Sequence, residues 1–252
     1  GSTTGMTLAS GATINVDAAE VAHLLADETA NRLTISDQKI TVTGAISVDN
    51  ANLLDATTTG VVTASITTTE TVDELQTLTG TGNAYTIVIA AGDATGSTAA
   101  EFNTINGKTT VAVDASNVTG LASDTLSNIS TLLTAGNDTN QFTANSFSGL
   151  TAVTVSDTTI DVSDFVGAVD QANAATGNTS TVFTIASGAT INGGNEANFS
   201  ALLTDETNNQ VVISNQNLTV DSGTISVDNA NLLAATTTGK LTATIATTET
   251  VT

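Results

Sequence analysis

The groups in this chain that could do acid–base or metal chemistry are 25 carboxylates and one histidine, set against only four Lys and Arg. The densest acidic stretch is Ser156-Asp-Thr-Thr-Ile-Asp-Val-Ser-Asp164. Hard cations take carboxylate, amide and carbonyl oxygens, so Asp157, Asp161 and Asp164 are the candidate calcium ligands. Glycosidases also work with paired carboxylates. The competing and favoured reading is structural: acids at a strand end serve as turn and cap residues. Gly136-Asn-Asp-Thr-Asn140 is a second oxygen-rich turn. Neither stretch matches an EF-hand loop or the glycine-rich nonapeptide of calcium-binding β-rolls. No cofactor is implied, and calcium is the one ion that the residue types admit.

The other reactive types are scarce. His23 is the only histidine, and its counterpart in an internal duplication is Ala201. Arg32 and Lys39 have Gln210 and Asn217 as counterparts. Four scattered cations do not make a phosphate cradle or a dense oxyanion clamp. There is no cysteine, hence no disulfide and no thiolate metal site. Asn-x-Ser/Thr triplets occur, for example at Asn117, Asn128, Asn178 and Asn217, a chance product of a chain rich in both types. The runs Thr57–Thr59, Thr67–Thr69 and Thr236–Thr238 are too irregular for the once-per-turn Thr pairs of ice-binding arrays, and they read as a solvated strand face. The expectation is a protein that is not an enzyme.

The elements that must position these groups are built from small aliphatics. There is no Trp or Pro, one Tyr and one Met, and hydrophobic residues make up 40% of the chain. Thr is about one residue in five, and its β-branching favours strands. Mean hydropathy is +0.18, too apolar for a disordered chain. The formal net charge of −21 repels phosphates, so nucleic acid and anionic membrane are poor partners, and no nucleic-acid partner is expected. No apolar run is long enough to span a bilayer. The leading Gly1-Ser2 reads as an expression scar on an excised fragment.

Self-comparison is the strongest signal. Ala9-Ser-Gly-Ala-Thr-Ile-Asn15 recurs at Ala186–Asn192, and Ser47-Val-Asp-Asn-Ala-Asn-Leu-Leu54 recurs at Ser226–Leu233. Ala56–Gly60 recurs at Ala235–Gly239, and Thr69–Val72 at Thr248–Val251. Residues 1–5 are therefore read as a terminal extension, 6–182 as a first long unit, and 183–252 as a partial second copy continuous with it.

Within the unit, period-two apolar bursts such as Val62/Ala64/Ile66, Tyr85/Ile87/Ile89, Val153/Val155 and Phe183/Ile185 predict half-buried strands. Val61 becomes Lys240 in the second copy, so that position faces water. Asp17-x-x-Glu20, Thr71-x-x-Glu74 and Thr98-x-x-Glu101 have the capping-box spacing and predict helices of two turns at most. Successive bursts about 23 to 30 residues apart predict a repeat solenoid: parallel strands stacked in successive turns, some turns carrying a short capped helix (an α/β solenoid or β-helix).

Repeats of this kind, free of Cys and Pro, acidic and rich in Thr, Ala, Asn and Asp, as in Thr224-Ile-Ser-Val-Asp-Asn-Ala-Asn-Leu-Leu233, resemble segments of giant bacterial surface proteins. Adhesins, S-layer-like proteins and the large surface proteins of marine bacteria and cyanobacteria are of this type. The resemblance implies an extracellular, cell-surface role as an elongated acidic rod: a spacer, stalk or coat element. The alternative is a calcium- or glycan-binding adhesin module. Implied partners are neighbouring repeats of the same protein, with end-to-end self-association, and no membrane insertion.

Overall fold

A computed structural model describes residues 5–93, 95–176 and 181–247. Gly1-Ser2, the Asn178 triplet and the recurrence at Thr248–Val251 lie outside the described residues. By contact density the chain divides into two compact units. One comprises Gly1–Ala94, Glu101–Asn117 and Asp138–Ala144, and the other comprises Thr95–Ala100, Val118–Asn137 and Asn145–Thr252.

The first unit carries β1 (Met6–Thr7), β2 (Thr13–Asp17), α1 (Val21–Thr29), β3 (Leu33–Thr34), β4 (Lys39–Ile46), α2 (Val48–Thr57), β5 (Val62–Ile66), α3 (Val72–Gln76) and β6 (Ala84–Thr86). Helix α4 (Ala99–Asn106) follows. β1 pairs with β3, and a second sheet runs β2-β4-β5-β6, every pairing parallel. Alternation decides which residues face inward. Ile14, Ile40 and Val62 lie in register across three strands, while Thr13 pairs with Lys39 on the other face. The register shifts between Thr41 and Ala45, and Gly44 sits inside that irregularity at φ +90°. A left-handed residue in a bulge is where glycine is cheapest.

The second unit carries α5 (Leu126–Gly136), β7 (Ala152–Val155), β8 (Thr159–Asp161), α6 (Val162–Thr176), β9 (Val182–Ile185), β10 (Thr190–Gly194), α7 (Glu196–Thr207), β11 (Val211–Val212), β12 (Asn217–Val220), α8 (Val227–Thr236) and β13 (Leu241–Thr242). Its sheets run β7-β9-β11 and β8-β10-β12-β13, again all parallel. The duplicated sequence repeats its pairings: Met6↔Leu33 corresponds to Phe183↔Val211, Ile14↔Ile40 to Ile191↔Leu218, and Ile40↔Val62 to Leu218↔Leu241.

The expected repeat solenoid is corrected by this architecture. The chain is a mixed α/β fold in which the strands fall into four separate small sheets and, among the described residues, eight α-helices share the burial with them. Two physical causes are visible. Pairing does not propagate through the middle of the chain: Val88↔Asp114 and Val113↔Phe142 are isolated bridges, not strands of a continuing ladder. The helices also exceed two turns. α5 has 11 residues, α6 has 15 and α7 has 12, and they bury Ile129, Leu132 and Leu133, Phe165 and Val169, and Phe199 and Leu202. Much of the core is thus helical, with Phe165 meeting Phe183 edge-on at 5.8 Å between ring centroids.

Caps fix the helix starts. Ser47 and Ser226 each accept from the backbone N–H three residues on, at Asn50 and Asn229. Thr71 and Glu74 form the expected reciprocal box. At Asp17 the expected cap is corrected: its side chain makes no capping bond, because a single 3-10 turn at Ala18–Glu20 intervenes before α1. Val61 is 39% exposed, and Lys240 is exposed as well.

Candidate functional site

The three candidate calcium ligands sit at the starts of two helices of the second unit, and two of them, Asp157 and Asp161, accept backbone N–H groups there. Asp157 Oδ2 accepts the N–H of Leu126, the first residue of α5, at 2.6 Å. Asp161 Oδ1 accepts from the Ser163 hydroxyl at 2.6 Å, the Ser163 N–H at 2.8 Å and the Asp164 N–H at 3.4 Å. The Ser163 hydroxyl, helped by the backbone N–H groups, holds the Asp161 carboxyl below the usual carboxylate range. Gly193, at φ +81°, passes so close to the Asp161 carboxylate that a Cβ there would collide with it. Asp164 is exposed in the first turn of α6, where a negative charge complements the helix dipole.

Among the described residues, no group of three or more His, Cys, Asp or Glu is placed to hold a metal ion. Replacing Asp157 by Ala removes the cap on Leu126 and costs about 1 kcal/mol, a fall of roughly 2–4 °C in melting temperature by calorimetry. An unchanged melting temperature would deny the cap a structural role.

The second oxygen-rich turn is likewise occupied. Asp138 accepts from Asn140 N and Nδ2, both at 2.9 Å, and from Gln141 Nε2 at 3.0 Å. Gln141 foremost lowers its carboxyl below the ordinary range. His23 lies on the surface of α1 with Nδ1 2.8 Å from Glu20, and Arg32 pairs with Asp27 at 2.6 Å in the open. Three triplet asparagines use their amides internally: Asn117 donates to Ile89 O, Asn128 to Asp124, and Asn217 to Gly188 O.

The most organised polar feature went unread in the sequence, and it occurs once in each copy. Gln38 and Gln216 are buried. Gln38 Oε1 accepts from Ser36 N at 2.7 Å and Nε2 donates to Ala9 O at 3.0 Å. Gln216 does the same with Ser214 N at 2.8 Å and Ile185 O at 3.0 Å. Each glutamine's own carbonyl is gripped by a buried threonine hydroxyl, Thr58 or Thr237. Gly60 and Gly239 then pass so close to that carbonyl that no Cβ fits. Two of the three Thr runs are thereby explained, their hydroxyls spent on backbone carbonyls, Thr59 on Ser36 O and Thr238 on Ser214 O, whereas Thr67 and Thr69 hydrogen-bond each other on the surface. The signal was present in the duplication, since Gln38 and Gln216 agree while their neighbours differ (Asp37 against Asn215, Lys39 against Asn217).

The carboxylates follow the same pattern of joining separate segments. Glu70 accepts from Val48 N, Asp55 from Asn83, Asp124 from Ala100 N and Asp221 from Gly193 N. Glu196 accepts from both Ser226 N and Asn229, and Ser226 chiefly lowers its carboxyl. One acid departs from this. Asp205 on α7 is only 8% exposed, and its Oδ2 is buried without a hydrogen-bond partner. Burial first, and the charge of Asp170 on α6 second, raise its carboxyl to about 6. Its counterpart Asp27 keeps an arginine, whereas the residue in Arg32's place here is Gln210.

A cleft of about 270 Å³ opens between α7 and α8, lined by Ser200, Leu203, Thr204, Thr207 and Leu232 among others, with no ionisable side chain. What the arrangement does chemically is tie backbone segments together. No helix among the described residues is long and apolar enough to cross a membrane. No family model, no curated protein and no solved structure matches this chain.

Proposed function

We propose that this chain is a structural module of a bacterial cell-surface protein, an acidic spacer or coat element that works among other copies of its own repeat, without catalysis. One observation carries the reading. Asp157 and Asp161, two of the three carboxylates that the sequence offers to a metal, are engaged at helix starts, and Glu196 likewise joins α7 to Ser226 N. The exact recurrence of Ser47–Leu54 at Ser226–Leu233 supports a modular origin. A net charge of −21 keeps neighbouring chains from collapsing onto one another.

Two measurements test it. Antibody raised against the chain labels intact cells that express the native gene, and labelling only after lysis overturns the surface assignment. Calcium at millimolar concentration shifts the melting temperature by no more than about 1 °C relative to chelator and to magnesium. A calcium-specific rise above roughly 5 °C would transfer the assignment to a calcium-dependent adhesin module.

A further inference from the structure

The duplication supplies an internal control on what each surface is built to touch. In the first unit, α2 and β5 are covered by the segment that follows them. Val62 N donates to Asn83 Oδ1 at 2.9 Å, and β5 pairs with β6 through Thr63↔Ala84, Ala64↔Tyr85 and Ser65↔Thr86. Tyr85 is fully buried and directs its hydroxyl at Ala51 O of α2. Asn52 donates to Thr77 O at 3.0 Å and accepts from Thr79 N at 2.8 Å.

The same residues recur in α8 and β13, and among the described residues no segment covers them in that way. Val48 is 2% exposed, and its equivalent Val227 is 37% exposed. Ile66 is 4% exposed, and Ile245 is 41% exposed. Ala51, Val62 and Ala64 are buried, while Ala230, Leu241 and Ala243 are partly open. Among the described residues, β13 pairs with β12 alone.

We infer that the α8–β13 face is a docking edge for one more parallel strand, and that its occupant is a segment of the sequence Glu74–Asp93, in the register β6 takes on β5. Three features commit the face to that occupant. The alternation Leu241/Ala243/Ile245 leaves apolar seats matching those that receive Tyr85 and its neighbours. Asn231 keeps the amide by which Asn52 reads Thr77 and Thr79. Closure also covers the Val227 and Ile245 side chains, now 37% and 41% exposed, and removal of apolar surface from water favours it. One departure tunes the contact. Asp55, which holds Thr79 and Asn83, is replaced by Ala234, so the face lacks that carboxylate.

This inference deepens the proposed role as a module among copies of its own repeat, and it fails separately. Calcium dependence would sink that role while leaving the following test untouched. Thr252 is equivalent to Asp73, so residues Glu74–Asp93 appended after Thr252 continue in register. Hydrogen exchange is compared between the full chain, this extension, and an extension of the same composition in scrambled order. In the in-register form, the amides of 225–245 exchange at least about tenfold more slowly than in the unextended chain. The scrambled extension leaves them unchanged.

Adding Ala234→Asp slows exchange further in the in-register form and has no effect on the unextended chain. Changing the tyrosine of the extension to Ser abolishes the protection. Equal exchange in the in-register and scrambled forms would overturn the inference. So would concentration-dependent dimers of the unextended chain that protect the same amides, since they would assign the face to a second whole copy.

Discussion

Replacing Gln38 by Leu lowers the melting temperature of this protein by roughly 6–12 °C, an energetic cost of about 3 kcal/mol. The volume change is small, so the loss is polar. The amide oxygen leaves Ser36 N and Asp37 N without their acceptor, and the amide nitrogen leaves Ala9 O without its donor. These bonds are part-buried, so each stranded group costs about 1 kcal/mol, the lower end of the range for a buried one. Glutamine is held in place from behind by Thr58 and by the close approach of Gly60 to its carbonyl, so the neighbours cannot collapse to rescue the stranded groups. Gln216→Leu produces the same loss in the second unit, where Ser214 N, Asn215 N and Ile185 O are abandoned. Calorimetry on both variants is the check. A change below about 1 °C in either would mean that water replaces the amide and that the clamp is incidental.

Asp205→Asn, by contrast, stabilises the protein at pH 7.5 by about 2–3 kcal/mol and has no effect at pH 3.5. The sign follows from the direction of the shift. The folded carboxyl titrates at about 6 because burial, and then Asp170, oppose its charge, whereas the unfolded one titrates near its ordinary value of 3.8. Between those two values the folded state holds a proton that the unfolded state has lost. The stability contributed by this proton is complete below the unfolded value and lost as pH rises through 6. An amide has no charge to bury, so the variant escapes the loss.

The exposed carboxylates act the other way. Glu74, held low mainly by Thr71, and Glu196, held low mainly by Ser226, stabilise the fold above the ordinary carboxylate range and release that stability as pH falls below it. Melting temperatures of wild type and Asp205→Asn therefore diverge between pH 4 and pH 7. Parallel curves for Asp205→Asn would show that the carboxyl is solvated and that the burial argument fails.

Position-by-position alternation and duplication were legible without coordinates because they are local properties. A period of two puts Val62, Ala64 and Ile66 on one face whatever lies beyond, and Val61 exchanged for Lys240 marked the wet side of that strand. Thr71-x-x-Glu74 specifies its own cap because both partners lie within one turn. The same reasoning misplaced Asp17, whose spacing fits a box but whose backbone enters a 3-10 turn first. It also underestimated α6. The small residues from Val162 to Thr176, with a glycine at 167, carry little visible helical pattern and are helical because Phe165, Val169 and Ala172 bury against their surroundings.

What the sequence by itself determined is therefore the one-dimensional part: strands that alternate, helices that cap themselves, a unit that recurs, and a surface of one sign. Tertiary structure alone decided whether apolar pairs would join into one continuous ladder or fall into four small sheets. It alone drew the distant partners together, Gln38 with Ala9 and Leu126 with Asp157, and left Asp205 dry while Asp27 stays wet. The physical reason is that pairing, burial and stranded polar groups are properties of contacts between residues far apart in the chain. Their free energies depend on which surfaces meet, and no periodicity within a segment records that.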